Sequence, residues 1–349
     1  IFFRVHLSLG VDLFWHMEVT SEGSVTHSAD FISDVVGDVA LVGQRLPLGE
    51  ILRGMDNCAV RVAQKHTKSD VKTTSMDAII VATPVLHGDL VKWEGRVVQV
   101  LQPSISVQVR VFRKDLSSRS WRLVFHCFLT LTPPPTHQVP GLVDDMGQTG
   151  QLEQELQIRQ ELMVNWSAML EGPAPENLCL KDMMDYTKRE HINVDETVLV
   201  LRCCLGSKVT STNQDTILYI RAGDLVQWMD TAANQCSRTF VQHHRTATIC
   251  VNRILFKKPI LVSDWVELVA RVVYVRLHTT EVEVECWIDR DGTKQHACTG
   301  YFIVLQLNEL GQNQEVVAGL NINEFDDDAT RRHYMAKQRF AFWQQFDSD

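Results

Sequence analysis

The sequence predicts an α+β protein of two tandem modules, each a curved antiparallel sheet wrapped around one long helix, with trailing surface helices. Three observations carry this expectation. The chain repeats itself at an offset of 174–175 residues. Each copy holds one helix-length stretch with an apolar stripe. Each of those stretches is followed by runs in which apolar and polar residues alternate.

The repeat is clearest where "LGEILRGMDNCA" (48–59) falls on "AGDLVQWMDTAA" (222–233), which places Gly49 on Gly223 and Asp56 on Asp230. "GDLVKWEGRVVQV" (88–100) falls on "SDWVELVARVVYV" (263–275) with a shared Arg-Val-Val-x-Val. "ISVQVRVF" (105–112) falls on "TEVEVECW" (280–287). At 349 residues the chain has room for two domains of ordinary size, at about 150 residues each.

In chain order, residues 1–30 read as an N-terminal extension. Its "IFFRVHLSLGV" (1–11) holds an Arg, a His and no acid. That composition fits the tail of a mitochondrial presequence, and equally an apolar strand docking on the body. The compartment expectation is therefore mitochondrial, with cytoplasmic as the alternative.

Module one spans 31–132. It opens with a β-rich piece, Val35–Val42. A helix follows over about 49–66, whose Ile51, Leu52, Met55, Ala59, Val62 and Ala63 form a core-facing stripe. Gly54 stands where the second copy has Trp228 and weakens this helix by about 1 kcal/mol relative to Ala. Alternating strands come next, and Gly95 suits a strongly bent one.

Residues 133–196 form a linker. "TPPPTHQVPG" (132–141) is a Pro-rich exit from the first sheet, residues 150–170 carry a helix pattern, and "GPAPENL" (172–178) ends it. Module two spans 197–308. Its early β pieces are Thr197–Cys204 and Ile217–Ile220, and its helix runs over about 223–243 with the stripe Leu225, Val226, Met229, Ala232, Ala233 and Cys236. In "TEVEVECW" the spacing puts Val282, Val284 and Cys286 on one face and Glu281, Glu283 and Glu285 on the other. The tail, 309–349, predicts a helix over 326–346, begun by three aspartates that suit a helix N-terminus.

Composition excludes several classes. A net charge of -9 argues against a general nucleic-acid binder, which needs a basic face to release phosphate counterions. The nine cysteines are scattered with no C-x-x-C, so neither zinc spacing nor a disulfide framework is expected. No metal is expected; His243-His244 suits a helix C-terminus instead. No apolar run approaches the ~20 residues of a membrane span. There is no Gly-rich phosphate loop and no GxSxG elbow. Trp93, Trp265 and Trp287 are expected in packing roles, and Arg253 with "FKKP" (256–259) as either phosphate contacts or a solvated turn.

The two-helix motif resembles the active-site helix of the tandem hotdog acyl-CoA thioesterases. Ala222-Gly223 opens the helix, an apolar and aromatic run follows, and Asp230-Thr231-Ala232-Ala233 closes the motif. Module one matches more loosely through Leu48-Gly49, Ile51-Leu52 and Met55-Asp56. "KTTSMDAIIV" (72–81) resembles the family's first strand after the helix, and "GDLV" (88–91) the turn into the next.

The resemblance implies hydrolysis of acyl-coenzyme A to free acid and coenzyme A, with coenzyme A part of the substrate and no separate cofactor. It implies Asp56 and Asp230 as general bases or nucleophiles, and oxyanion donors marked by Gly49 and Gly223. It also implies an Asn, Gln or Asp ahead of the helix. Gln44 and Asn213 are the candidates, with Asp215 beside the second. Thr231 and Asn234 complete the substrate-facing set, and Asn234 has only Val60 as its counterpart.

The physics fits those roles. A helix start offers unpaired N–H groups and a positive dipole end for an oxyanion. Glycine leaves the approach open. An aspartate in an apolar helix is desolvated and so becomes a stronger base. The family's His-Gly-Gly and its Asn are missing ahead of both helices. The alternative is therefore a catalytically silent hotdog scaffold in a larger, mitochondrial assembly. A third option, a dehydratase of similar fold, wants a histidine that neither helix supplies. The partners expected are acyl-CoA and further copies of the chain or other subunits.

Overall fold

The computed structural model describes residues 29–81, 83–115, 117–141, 149–171, 188, 190–204, 219–243, 245–323 and 326–346. The expectations for 1–28, for "GPAPENL" and for Ile217-Leu218 lie outside the described residues. The rest falls into two compact units. One holds both modules, and the other holds the linker helix and the tail helix.

Each module has its central helix where the stripe predicts it. The first, α1 (Leu48–Thr67), buries Ile51, Leu52, Met55, Ala59, Val62 and Ala63. The linker helix is α2 (Thr149–Glu171). The second central helix is α3 (Ala222–Val241), which buries Leu225, Val226, Met229, Ala232, Ala233 and Cys236. Both central helices end on a residue in the left-handed conformation, Lys68 and Gln242, whose N–H caps the last turn. The tail helix is α4 (Asp327–Phe346). Within their own unit, α2 and α4 meet through Trp166, whose ring lies 5.5 Å from Phe342 and 5.9 Å from Trp343.

Two six-stranded sheets wrap the central helices. The first runs β1 (Ala29–Val35), β4 (Leu90–Leu101), β5 (Ser104–Lys114), β6 (Trp121–Thr132), β2 (Lys72–Met76) and β10 (Ile254–Leu255). The second runs β3 (Ile79–Ile80), β9 (Thr246–Val251), β13 (Thr293–Gln306), β12 (Thr279–Arg290), β11 (Trp265–Val275) and β8 (Leu199–Cys204). All these pairings are antiparallel. A helix enclosed by such a sheet, twice in one chain, is the tandem hotdog arrangement.

The modules exchange their edges. β10 comes from module two but pairs with β2 of module one, Ile254 opposite Met76. β3 comes from module one but pairs with β9 of module two, Ile79 opposite Val251. The exchange obeys the repeat, since Met76 and Val251 are 175 residues apart, as are Ile79 and Ile254. A separate parallel pair, β7 (Glu190–Asn193) with β14 (Ala318–Asn321), lies at the end of the second module.

Four local expectations change. The strand expected over Val35–Val42 stops at Val35. Gly37 turns the chain at φ +84°, and Asp38 accepts a hydrogen bond from Ala40 N–H to open a short 3-10 turn, Val39–Leu41. Gly95 answers to the helix rather than to a bend, because a Cβ there would lie 2.8 Å from Val62 Cγ2 on α1. Gly54 makes room for Trp93, since its Cβ would sit 2.5 Å from the indole. That indole is buried and donates to the Ile51 carbonyl at 3.1 Å. Trp265, by contrast, is 62% exposed on β11. The face of β12 that carries glutamates is also not a water face: Glu281 and Glu283 are buried, and Arg271 donates to both Glu283 and Glu285 at 3.0 Å.

Candidate active site

The helices α1 and α3 pack antiparallel, and their glycines permit the approach. A Cβ on Gly49 would stand 2.8 Å from Gln227 Cα, and one on Gly223 would stand 2.8 Å from Asp56 Cβ and 2.9 Å from Arg53 Cα. Neither helix is capped by its own flanking side chain: Pro47 and Arg221 occupy the N-cap positions without a side-chain hydrogen bond. Each helix start is instead capped by the aspartate of the other helix. Gly49 N–H donates to Asp230 Oδ2 at 2.9 Å, and Gly223 N–H donates to Asp56 Oδ2 at 3.0 Å. An anion at a helix N-terminus meets both the unpaired donors and the positive end of the dipole.

The remaining carboxylate oxygens face the first strand after each helix. Thr73 Oγ1 on β2 donates to Asp56 Oδ1 at 2.6 Å. Thr248 Oγ1 on β9 donates to Asp230 Oδ1 in a short hydrogen bond. The two threonines are 175 residues apart, so the two sites are copies of one another.

They then diverge. In module two, Asn234 Nδ2 reaches Asp230 Oδ1 at 3.2 Å and Thr248 Oγ1 at 2.8 Å. Its Oδ1 accepts from Thr246 Oγ1 at 3.0 Å, and Arg238 Nε donates to that same hydroxyl at 3.0 Å. At the corresponding place in module one stands buried Val60. Around Asp56 the neighbours are cationic instead. Arg221 Nη1 donates to Asn57 Oδ1 at 2.7 Å, and Lys72 Nζ lies 3.4 Å from the centroid of the Tyr219 ring.

Both carboxylates are 1% exposed. Burial pushes the Asp56 carboxyl above its ordinary range, and the Thr73 and Gly223 hydrogen bonds with the Arg221 charge recover only part of that rise. Burial likewise raises Asp230, against the pull of Thr248, Gly49, Arg238 and Asn234. Two aspartates with raised pKa values, bonded across a module interface, form a constellation suited to proton abstraction from water.

The residues expected from sequence separate into three groups. Asp56, Asp230, Gly49, Gly223 and Asn234 come together. Gln44 does not: it is exposed in the loop ahead of α1, with its backbone N–H bonded to Leu41 and its carbonyl to His87 N–H, and no hydrogen bond joins it to either carboxylate. Thr231 is exposed, and its hydroxyl turns back to the Gln227 carbonyl at 2.9 Å. Asn213 and Asp215 lie outside the described residues.

The glycine N–H groups expected to receive an oxyanion are met by the aspartates. Thr73 and Thr248 were not among the sequence candidates. Their signal was the repeat itself, in which "KTT" and "TAT" stand at the same place after each helix. Among the described residues there is no cluster of His, Cys, Asp and Glu that would hold a metal, and no helix long and apolar enough to cross a membrane.

Residues 222–294 match the family model of the thioesterase superfamily, a span that begins with α3 and reaches the start of β13. No curated protein matches the chain. Among solved structures, the chain is similar to an acyl-CoA hydrolase mutant from Staphylococcus aureus in complex with coenzyme A, at 21% identity and a TM-score of 0.41, over 45% of this chain and 90% of that one. A tesB protein from Mycobacterium avium subspecies paratuberculosis is 12% identical at a TM-score of 0.49, over 81% of this chain and 94% of that one. An acyl-CoA hydrolase from Agrobacterium tumefaciens is 14% identical at 0.30, over 82% and 97%.

Proposed function

We propose that this chain is an acyl-CoA thioesterase, hydrolysing acyl-coenzyme A to a free acid and coenzyme A, with Asp230 as its principal general base or nucleophile and Asp56 as the second. One observation carries the reading. A buried carboxylate of raised pKa sits at the start of the other module's helix, held by a threonine and an amide on its free side. The match of residues 222–294 to the thioesterase superfamily supports it, because that span contains Asp230, Asn234 and Thr248.

The chemistry asks little more of the protein. Deprotonated Asp230 takes a proton from water, the resulting hydroxide attacks the thioester carbon, and the thiolate departs without needing a strong acid. The developing oxyanion needs donors, and the first turn of α1 is the nearest set, with the Gly49 N–H shared between Asp230 and the substrate oxygen. Thr248 and Asn234 fix the carboxylate so that one oxygen keeps a constant direction. Further copies of the chain are the expected partners.

The second reading, a silent scaffold, has its own observation: each carboxylate is 1% exposed and is spent on capping the opposite helix. Asp230→Asn separates the two. Asparagine Oδ1 still accepts from Gly49 N–H, so the cap survives while the base is lost. Release of free thiol from acyl-CoAs of several lengths should fall by about 10²-fold or more, with the melting temperature little changed. Undiminished turnover removes Asp230 from the mechanism. Absence of hydrolysis by the parent at every chain length establishes the scaffold.

A further inference from the structure

The start of each central helix is held by a second repeated device, outside the two sites. In module one, Arg113 Nη1 donates to the Pro84 carbonyl at 2.8 Å, and Arg113 Nε stands 3.5 Å from Asp89 Oδ2. The same Asp89 oxygen accepts from Leu86 N–H at 2.8 Å, which closes the turn over residues 86–89. That turn pairs with the chain entering α1: Leu86 bridges to Arg45, Leu46 N–H donates to the Val85 carbonyl at 2.9 Å, and His87 N–H donates to the Gln44 carbonyl at 2.9 Å. Two residues after Leu46, α1 begins, and its Gly49 N–H meets Asp230.

Module two repeats the arrangement. Arg290 donates to both oxygens of Asp264, at 2.9 and 2.6 Å, and to the Pro259 carbonyl at 3.0 Å. Asp264 Oδ2 accepts from Leu261 N–H at 2.7 Å. Leu261 bridges to Tyr219, and Ile220 N–H donates to the Ile260 carbonyl at 2.9 Å. Two residues after Ile220, α3 begins, and its Gly223 N–H meets Asp56. Burial would raise the Asp264 carboxyl, but Arg290 and the Leu261 N–H outweigh it and hold it below the ordinary range.

We propose that Arg113 with Asp89, and Arg290 with Asp264, are positioning pairs that set where each helix start stands, and that they act crosswise. Arg113 in module one serves the Asp230 site, because α1 supplies the N–H that Asp230 accepts. Arg290 in module two serves the Asp56 site. The tighter clamp therefore belongs to the aspartate that lacks an amide neighbour. This inference rests on the reading of Asp230 as base. A guanidinium fork binds a carboxylate and a carbonyl together in a fixed plane, so its loss frees the turn without removing any group from the site.

The test uses the full chain carrying Asp56→Asn, so that turnover reports Asp230 alone. In that background Arg113→Gln should lower kcat roughly tenfold while KM moves less than twofold, because small displacements of reacting groups act on the rate rather than on remote binding. Arg290→Gln should lower kcat far less. Asp89→Asn, which keeps the acceptor for Leu86 N–H and loses only the ion pair, should reproduce the Arg113→Gln loss in a milder background. Equal kcat losses from Arg113→Gln and Arg290→Gln, or a rise in KM with kcat intact, overturn the crosswise positioning. Turnover that survives Asp230→Asn overturns the base assignment instead, whatever the arginines do.

Discussion

Gly223→Ala probes the helix crossing without touching the chemistry of the carboxylates. The new Cβ would stand 2.8 Å from Asp56 Cβ, 2.9 Å from Arg53 Cα and 3.2 Å from the Arg53 carbonyl oxygen. Favourable carbon contacts lie at about 3.5–4.0 Å, and two of these three neighbours are backbone atoms that no rotamer change can move. The helices must therefore part by something near 1 Å. Overpacking of this kind costs about 1–3 kcal/mol. Alanine gains at most about 1 kcal/mol over glycine as a helix former. The clash wins, leaving a net loss of about 1–2 kcal/mol. At about 2–4 °C per kcal/mol for a unit of this size, the melting temperature should fall by about 2–8 °C. Calorimetry reads this directly. Gly49→Ala meets Gln227 Cα at the same 2.8 Å and should behave alike. The double variant should lose less than the sum, because one separation makes room for both. A Gly223→Ala protein that melts at or above the parent temperature would refute the close crossing.

The other outcomes follow from the carboxylates and their threonines. Because burial raises Asp56 and Asp230, the folded state holds their protons to higher pH than the unfolded state does. The parent should lose stability relative to Asp56→Asn as pH rises from the ordinary carboxylate range through the raised values, a gap that denaturant titrations at stepped pH will show. For the same reason the acid limb of kcat/KM should lie above the ordinary aspartate range, and a limb at or below that range counts against a buried base. Thr248→Val should lower kcat roughly tenfold with the fold intact, and Thr73→Val far less if Asp230 carries most of the turnover; equal effects would assign the work to both sites.

Much of the architecture was readable because it rests on strong periodic signals. The stripes from Ile51 to Ala63 and from Leu225 to Cys236 admit one helix each, and the buried face of β12 follows from period-two spacing. What escaped was carried by short pieces or by tertiary contact. β3 and β10 are two residues each, too short for any pattern, so the exchange of edges left no trace beyond the repeat. Gly54 looked like a weakness in α1 because nothing local announces that Trp93 packs beneath it. The aspartates stood out as acids in apolar helices, whereas Thr73 and Thr248 are ordinary strand residues and gave no chemical signal alone. Gln44 was placed by distance along the chain; the turn at Gly43, with φ +86°, instead leaves it in solvent.

The traded edges mean that neither half of this chain is a domain in the folding sense. Released from its fellow, each half would show a bare strand margin and a helix whose first donors have lost their only anion. A backbone break placed between the modules should leave the two pieces clasped, whereas either piece expressed by itself should aggregate. The chain is, mechanically, a dimer that happens to share one peptide thread.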